Sequence, residues 1–382
     1  MVSSIGSQCT VIAMPLLTLV LTHSAAKTGV IGFLDLAPLA LFMLLAGVVA
    51  DRWNRKRLMI VTSALRLASI TSVVVAVALH SITFAQLAIV AFIQATGATF
   101  YQTASSGAIR SVVPSEQLDI AAGMAQTRIA TARLVGPPLG GALFGIARLL
   151  PFLADAVSYA VSIATLAAIR AEFQEARERD RAPLHTQVAE GFRFLWGQPF
   201  LRTTALIFTL GSIVSPASLL LAVVIIGKRQ GLSAGEIGAL NAAMGVALLA
   251  GSFVAGRVTR RLPMRTILVA ELWSSCACAV FLLHPSVYLL LAGILPQSFV
   301  IPSTDTALTA YRYRVIPDRL MGRVTGVITN IALAVTPLGA LGIGLLLANV
   351  SERAAVGVFA AIALGLAIWG TLSPSLRHPV VP

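Results

Sequence analysis

Charged residues are scarce in this chain of 382 residues. Only 11% of the residues are Asp, Glu, Lys or Arg, and 57% are hydrophobic. An ordinary soluble domain is about a quarter charged and roughly half apolar. The apolar residues also form unbroken runs of about 18 or more, the length that crosses a bilayer. Because backbone groups in lipid must be satisfied within each segment, we expect an all-α, multi-pass membrane protein.

Cysteine and histidine are also rare, with three and five residues. Cys276 and Cys278 lie inside an apolar run, and Cys9 stands alone. A C-x-C pair in an apolar helix is more often small packing residues than a metal site, and the histidines show no ligand spacing. The sequence therefore predicts no metal site.

Motifs for chemistry are missing as well. No G-x-x-x-x-G-K-[ST] stretch occurs, and no soluble domain could hold an ATP site. No nucleophile–base pattern is present either. We therefore predict a protein that is not an enzyme, has no catalytic residues and needs no cofactor.

The few charges are strongly biased in sign and place. Lys and Arg number 28 against 15 Asp and Glu, giving a net charge of +13. Twenty of the 28 fall on one set of predicted loops, which the positive-inside rule assigns to the cytoplasm. Binding to nucleic acid would need basic residues clustered on a soluble face. We predict a cell-membrane protein with both termini cytoplasmic, surrounded by lipid and without a nucleic-acid partner.

Twelve apolar segments have the length of a membrane span. They are predicted near 3–22, 29–49, 58–79, 84–108, 119–146, 152–169, 202–226, 235–256, 265–283, 286–308, 323–348 and 353–372, and are called spans 1 to 12. The two halves repeat, since Gly29 and Gly47 recur as Gly238 and Gly256, 209 residues later. Repeated halves are typical of transporters. We predict two pseudo-symmetric six-helix bundles, 1–169 and 202–382.

The segment 170–201 between the bundles is the only long polar stretch. It opens with a charged run and ends with Val188, Phe192, Leu195 and Trp196, an i, i+4, i+7, i+8 apolar stripe. This pattern predicts a cytoplasmic linker followed by an amphipathic helix at the membrane interface.

A very short basic loop joins spans 2 and 3. It runs from Gly47 to Arg57 with the pattern G-x-x-x-D-R-x-x-R-[KR]. This pattern resembles the signature loop of the major facilitator superfamily, and the resemblance implies the major facilitator fold. It also implies a conformational latch, in which the loop packs against the start of span 11, near Gly322-Arg323, in the outward-open state. The latch residues would be Gly47, Asp51, Arg52, Arg55 and Lys56. The alternative is a plain topogenic loop in which Asp51 is incidental.

A second motif lies in span 5. Residues 133–141 read R-L-V-G-P-P-L-G-G and resemble the G-P-x-x-G-G stretch of the antiporter branch of the same superfamily. The motif residues are Arg133, Gly136, Pro137, Gly140 and Gly141. The prolines remove backbone donors, and the glycines let a neighbouring helix approach. The alternative is a packing helix with no bearing on transport direction.

Residues 110–116 and 317–326 look like the efflux subgroup that contains the enterobactin exporter and macrolide efflux pumps. Many members of that subgroup carry an acidic residue early in helix 1, where this chain has Ser7-Gln8. The resemblance therefore implies proton-coupled efflux but supplies no proton site in span 1.

Four acids inside spans are candidates for the proton carrier: Asp305, Asp35, Glu271 and Asp155. Acids in lipid are costly and indicate function, and apolar surroundings favour the proton-bearing form. Asp305 ranks first because span 10 carries a polar face and lines the cavity in the family; Asp35 ranks second. For each acid the alternative is an ion pair that only joins helices, with Arg66, Arg128 or Arg133 as the partner.

The candidates for the substrate cavity lie on the helices that line it in the family. They are Gln8, Gln94, Tyr101, Gln102, Phe299, Ser303 and Thr304. A mostly apolar pocket suits a small amphipathic molecule. We predict a monomeric secondary active transporter that exports such a compound against protons. The alternatives are a facilitator or importer, and a membrane sensor or scaffold that transports nothing.

Overall fold

The computed structural model describes residues 2–112, 117–169, 173 and 184–377. These residues form helices and short turns, and this part of the chain contains no strand. The helices are α1 Val2–Thr22, α2 Ala25–Arg52, α3 Arg55–Ala78, α4 Phe84–Val112, α5 Leu118–Ile146, α6 Leu150–Ala168, α7 Leu184–Gly197, α8 Pro199–Gly211, α9 Pro216–Arg229, α10 Ala234–Arg261, α11 Met264–Ser275, α12 Val287–Val315, α13 Asp318–Asn349, α14 Glu352–Leu372 and α15 Pro374–Arg377.

Side-chain caps fix where several of these helices begin. Ser24, Asn54 and Ser351 each accept a hydrogen bond from a backbone N–H in the first turn of α2, α3 and α14. At the start of α10, the carboxylate of Glu236 accepts the backbone N–H of Ser233 at 2.7 Å, and the Ser233 hydroxyl accepts the N–H of Glu236 at 3.2 Å. This reciprocal pair is a capping box.

The predicted all-α membrane protein is confirmed. Ten helices in the described ranges are long and apolar enough to cross a membrane. Spans 1 to 6 coincide with α1 to α6, and spans 8 to 12 with α10 to α14. A helix, α7, covers the stripe of 188–196, and its place at the membrane interface stays a prediction. The charged run that opens the predicted linker lies outside the described residues.

Two spans are less regular than the sequence suggested. Span 7 is not one continuous helix, because α8 and α9 are separated by a 3₁₀ turn, Ser212–Val214, and an extended Ser215. Pro216 follows, and the residue before a proline is held away from the helical region. In span 9, α11 continues as a 3₁₀ segment, Cys276–Leu282.

The chain divides into two compact units. One comprises Met1–Glu178 with Gly227–Ala242, and the other Arg179–Ile226 with Ala243–Pro382. In the first unit, α1 packs against α5 and α6, and α3 lies between α4 and α6. In the second, α11 packs against α12 and α14, and α13 against α7 and α8. The bundle limits predicted above, 1–169 and 202–382, stay a prediction.

Candidate functional site

A cavity of about 220 Å³ lies within the first unit. Most of its wall is apolar, with side chains such as Val11, Met14, Ile31 and Leu39. Its polar lining residues come from five helices: Ser7, Gln8 and Thr10 on α1, Asp35 on α2, Arg66 on α3, Gln94, Thr99 and Gln102 on α4, and Asp155 on α6. The cavity therefore joins two of the four predicted acids and three of the predicted cavity residues.

Arg66 is the hub of the polar network in this cavity. Its Nε donates to Gln94 Oε1 at 3.0 Å, and its Nη2 donates to Ser7 Oγ at 3.2 Å. The guanidinium carbon lies 4.5 Å from the ring centroid of Tyr159, a cation–π contact. One side chain thus connects α3 with α1, α4 and α6.

Gln94 fixes the orientation of the arginine. Its Nε2 donates to the backbone carbonyl of Arg66 at 2.8 Å and to Ser69 Oγ at 3.0 Å. Its carbonyl oxygen, left as the acceptor, takes the Tyr159 hydroxyl at 3.1 Å as well as the arginine. The amide is buried and fully engaged, so it holds the guanidinium in one position.

Asp155 lines the cavity from α6 and is 1% exposed. Its carboxylate accepts hydrogen bonds from Thr10 at 3.0 Å, Ser158 at 3.3 Å and Ser7 at 3.4 Å. Arg66 acts on it as the compensating positive charge. These hydroxyl contacts and the nearby cation tie the buried carboxylate to the surrounding helices.

Asp35 differs sharply from Asp155. It lines the same cavity from α2, and within the described ranges it makes no hydrogen bond or ion pair. Arg66 is the positive charge that acts on it. The two acids therefore share one arginine, but only Asp155 is tied into the surrounding protein.

Two glycines make room for this network. A Cβ on Gly6 of α1 would lie 2.5 Å from Ser158 Oγ and 2.9 Å from an oxygen of Asp155. A Cβ on Gly97 of α4 would lie 2.7 Å from Cγ of Arg66. Both helices can approach the charged side chains only because these residues lack a side chain.

The glycines of the span 5 motif are packing contacts in the structure. A Cβ on Gly140 would lie 2.5 Å from the carbonyl oxygen of Cys9 on α1, and one on Gly136 would collide with Gln8. Gly141 faces the first turns of α10, where a Cβ on Gly238 would lie 2.6 Å from the Pro137 carbonyl oxygen. Helix α5 runs unbroken through both prolines. The link to antiport stays a prediction.

Arg133, Arg52 and Gly47 make no specific side-chain contact with the residues that the structure describes. Arg133 and Arg52 are exposed, and a Cβ added to Gly47 would meet nothing within 4 Å. The side chain of Asp51 lies outside what the structure describes. The latch role of this loop therefore stays a prediction.

The other two loop residues bind the ends of neighbouring helices. Arg55 donates to the carbonyl oxygen of Gly107 on α4 at 2.9 Å. Lys56 Nζ donates to the carbonyl oxygen of Ile169 at 2.5 Å and to that of Ala167 at 3.3 Å. A cation at the carbonyl end of α6 is favoured by the helix dipole.

The remaining candidates are not among the residues that line this cavity. Tyr101 packs against the core cluster of α3 and α4. In the second unit, Ser303 and Thr304 are buried on α12, and Phe299 and Asp305 are exposed on the same helix. Glu271 on α11 lies close to Thr304 and Asp305. Asp305 thus belongs to the second unit, whereas Asp35 and Asp155 line the cavity of the first.

An all-helical membrane protein with an apolar cavity that carries two acids and an arginine belongs to the class of multi-pass transport proteins. Residues 1–224 match the family model of the Major Facilitator Superfamily. The chain is a member of that superfamily, so the family and fold expected from the signature loop are confirmed.

Relatives match over nearly the full length. The chain is 24% identical over 388 residues to the multidrug efflux pump Tap of Mycolicibacterium fortuitum, covering 98% of this chain and 93% of that protein. It is 24% identical over 383 residues to the enterobactin exporter EntS of Citrobacter koseri, covering 97% and 90%. The crystal structure of a D-xylose–proton symporter aligns with a TM-score of 0.73 at 12% identity, covering 98% and 96%, and shows the common fold.

Proposed function

We propose that this protein is a secondary active transporter that exports a small amphipathic or apolar organic compound in exchange for protons, by alternating access. The observation that carries the proposal is the cavity of the first unit, where Asp35 stands beside an apolar wall and makes no hydrogen bond or ion pair with the residues that the structure describes. The full-length similarity to relatives named for multidrug efflux and enterobactin export supports the outward direction.

In this proposal the charges of the cavity assign the proton to Asp35. A carboxylate at Asp155 would balance the positive charge of Arg66, and hydrogen bonds tie both side chains to the surrounding helices. The protonation of Asp35 therefore decides whether the cavity is neutral or carries one negative charge. Apolar surroundings favour the neutral form of a carboxyl group. Binding or release of a proton at Asp35 therefore changes the net charge of the cavity by one unit.

The direct test is proton movement driven by substrate. Purified protein in proteoliposomes that contain a pH-sensitive dye is exposed to a panel of amphipathic compounds of positive, zero and negative charge. We expect at least one compound to move protons across the membrane only when the protein is present. Flux of a compound that does not depend on the pH gradient would indicate a facilitator. If a compound binds to the protein but no compound in the panel moves protons or is itself transported, a sensor would be favoured.

We further propose that the protein lies in the cell membrane as a monomer with both termini in the cytoplasm. The Lys and Arg distribution supports this orientation. Reporter domains fused after Arg57 and after Arg261 should report the cytoplasm, and one fused after Lys27 should report the outside. A cytoplasmic reporter at Lys27 would contradict the proposed topology.

Arg66→Met should destabilise the protein, and more at mildly alkaline than at mildly acidic pH. The change leaves Asp155 as an uncompensated buried charge, and breaking a buried charge pair costs roughly 3–5 kcal/mol. Acid removes that charge by protonating the carboxylate, so the loss shrinks as the pH falls. Thermal unfolding of the purified variant at the two pH values measures the difference.

Arg148→Met is the matched control for this prediction, because Arg148 is exposed. We expect it to unfold like the parent at both pH values. The double change Arg66→Met with Asp155→Asn should restore part of the lost stability. A stability loss for Arg66→Met that is the same at both pH values would contradict the charge-balance argument.

A further inference from the structure

Helix α7 carries a stripe of large apolar side chains on its surface. Val188, Phe192 and Trp196 follow one another at intervals of four residues and are 37%, 43% and 45% exposed. The rings of Phe192 and Trp196 stack with their centroids 5.0 Å apart. Single exposed apolar residues are common, but a stacked aromatic stripe on one face indicates an interaction surface.

The adjoining face of α7 is fixed against α13. Leu195 is 1% exposed and belongs to the core of the second unit. A Cβ on Gly191 would lie 2.7 Å from the carbonyl oxygen of Arg323, so the two backbones are in close contact. Glu190 forms an ion pair with the Arg323 side chain. The helix cannot turn its aromatic face inward without breaking these contacts.

The connections of α7 hold it at the level where membrane spans begin. Helix α8 starts at Pro199, two residues after α7 ends. The α13 contact at Arg323 lies three residues into the candidate span Leu320–Asn349. A helix tied at both places lies along the membrane boundary, with its exposed face available to the headgroup region.

Two arginines flank the aromatic stripe. Arg193 is exposed beside Phe192, and the guanidinium of Arg202 lies 5.9 Å from the ring centroid of Trp196. Aromatic side chains settle at the headgroup level, and guanidinium groups bind phosphate through charge-assisted hydrogen bonds. We propose that the surface formed by Val188, Phe192, Arg193 and Trp196 of α7 with Arg202 of α8 binds anionic phospholipid. The inference holds whether or not the chain exports a compound.

The test uses Trp196 as its own probe. The variant Trp53→Phe, Trp273→Phe, Trp369→Phe leaves Trp196 as the single tryptophan, since the chain has four. It is reconstituted in mixed vesicles in which either the phosphatidylglycerol or the phosphatidylcholine is brominated, at equal mole fractions. We expect brominated phosphatidylglycerol to quench the fluorescence of Trp196 more strongly than brominated phosphatidylcholine does. For two arginines, the expected local enrichment of phosphatidylglycerol over phosphatidylcholine is roughly fivefold to thirtyfold.

Arg193→Gln with Arg202→Gln in the same background should bring the quenching by the two lipids to the same level. Arg257→Gln with Arg260→Gln is the matched control, because it removes two exposed arginines from the end of α10 and should leave the preference unchanged. Circular dichroism confirms that each variant is helical. Equal quenching by both lipids in the parent, or a preference that survives Arg193→Gln with Arg202→Gln, would overturn the proposal. The proposal would also be overturned if neither brominated lipid quenched the fluorescence of Trp196 and α7 could be crosslinked to a second copy of the chain.

Discussion

Asp35→Asn is expected to reduce proton-driven transport to the level of protein-free liposomes while the protein still folds. Asparagine has nearly the same shape as aspartate but cannot exchange a proton. Asp35 makes no hydrogen bond or ion pair in the described ranges, so its replacement breaks no contact of the fold. The variant should still exchange substrate for substrate across the membrane, because that reaction needs no net proton movement.

The measurement compares pH-driven flux with substrate exchange in the same proteoliposomes, using a compound found in the panel. Asp305→Asn is the decisive companion variant, because sequence reasoning ranked Asp305 first and the cavity of the first unit does not include it. We expect Asp305→Asn to keep pH-driven flux. Loss of coupling in Asp305→Asn together with normal coupling in Asp35→Asn would move the proton site to the second unit and contradict our assignment.

Asp155→Asn separates the roles of the two acids that share Arg66. It removes a carboxylate that accepts three hydroxyl groups, so it should lower thermal stability by roughly 1–3 kcal/mol. Asp35→Asn should leave the melting temperature within experimental error of the parent. Equal stability losses in the two variants would mean that Asp35 is held by the fold in the same way as Asp155.

The helices were predictable because their signal is local. Length and hydropathy place nearly every span, and the amphipathic stripe of α7 is visible as an i, i+4, i+8 pattern. The signature loop identifies the family because its charges and glycine stand at fixed intervals. The break in span 7 shows the limit of hydropathy, which stays high throughout the span, whereas Pro216 keeps the residue before it out of the helical region.

The composition of the cavity was less predictable, because it depends on which helix faces meet. Ser7, Thr10 and Ser158 are ordinary small residues in spans, and nothing in their spacing shows that they converge on one carboxylate. Tyr159 and Gly97 were missed for the same reason. Arg66 was the one residue whose position indicated the cavity. An arginine in the middle of span 3 needs polar partners in the membrane, and those partners line the cavity.

The second large effect is expected at Gly140, where α5 touches α1. An alanine there would place its Cβ 2.5 Å from the carbonyl oxygen and 2.6 Å from the Cα of Cys9, and both atoms are backbone. The helices would have to separate, and overpacking of this kind typically costs about 1–3 kcal/mol. The shift would also move Ser7 and Thr10, which lie on α1 and hold Asp155.

Gly145→Ala provides a matched control on the same helix. Gly145 is exposed, and a Cβ added to it would meet nothing within 4 Å. This change should be neutral or stabilising by about 0.5–1 kcal/mol, because alanine loses less backbone freedom in a helix than glycine. Thermal unfolding of both purified variants in detergent gives the comparison. We expect Gly140→Ala to unfold at a clearly lower temperature than Gly145→Ala. It should also lose pH-driven flux, because the separation of α5 from α1 moves the residues of α1 that line the cavity. If Gly140→Ala were as stable as Gly145→Ala, Gly140 would not be needed for the close contact between α5 and α1.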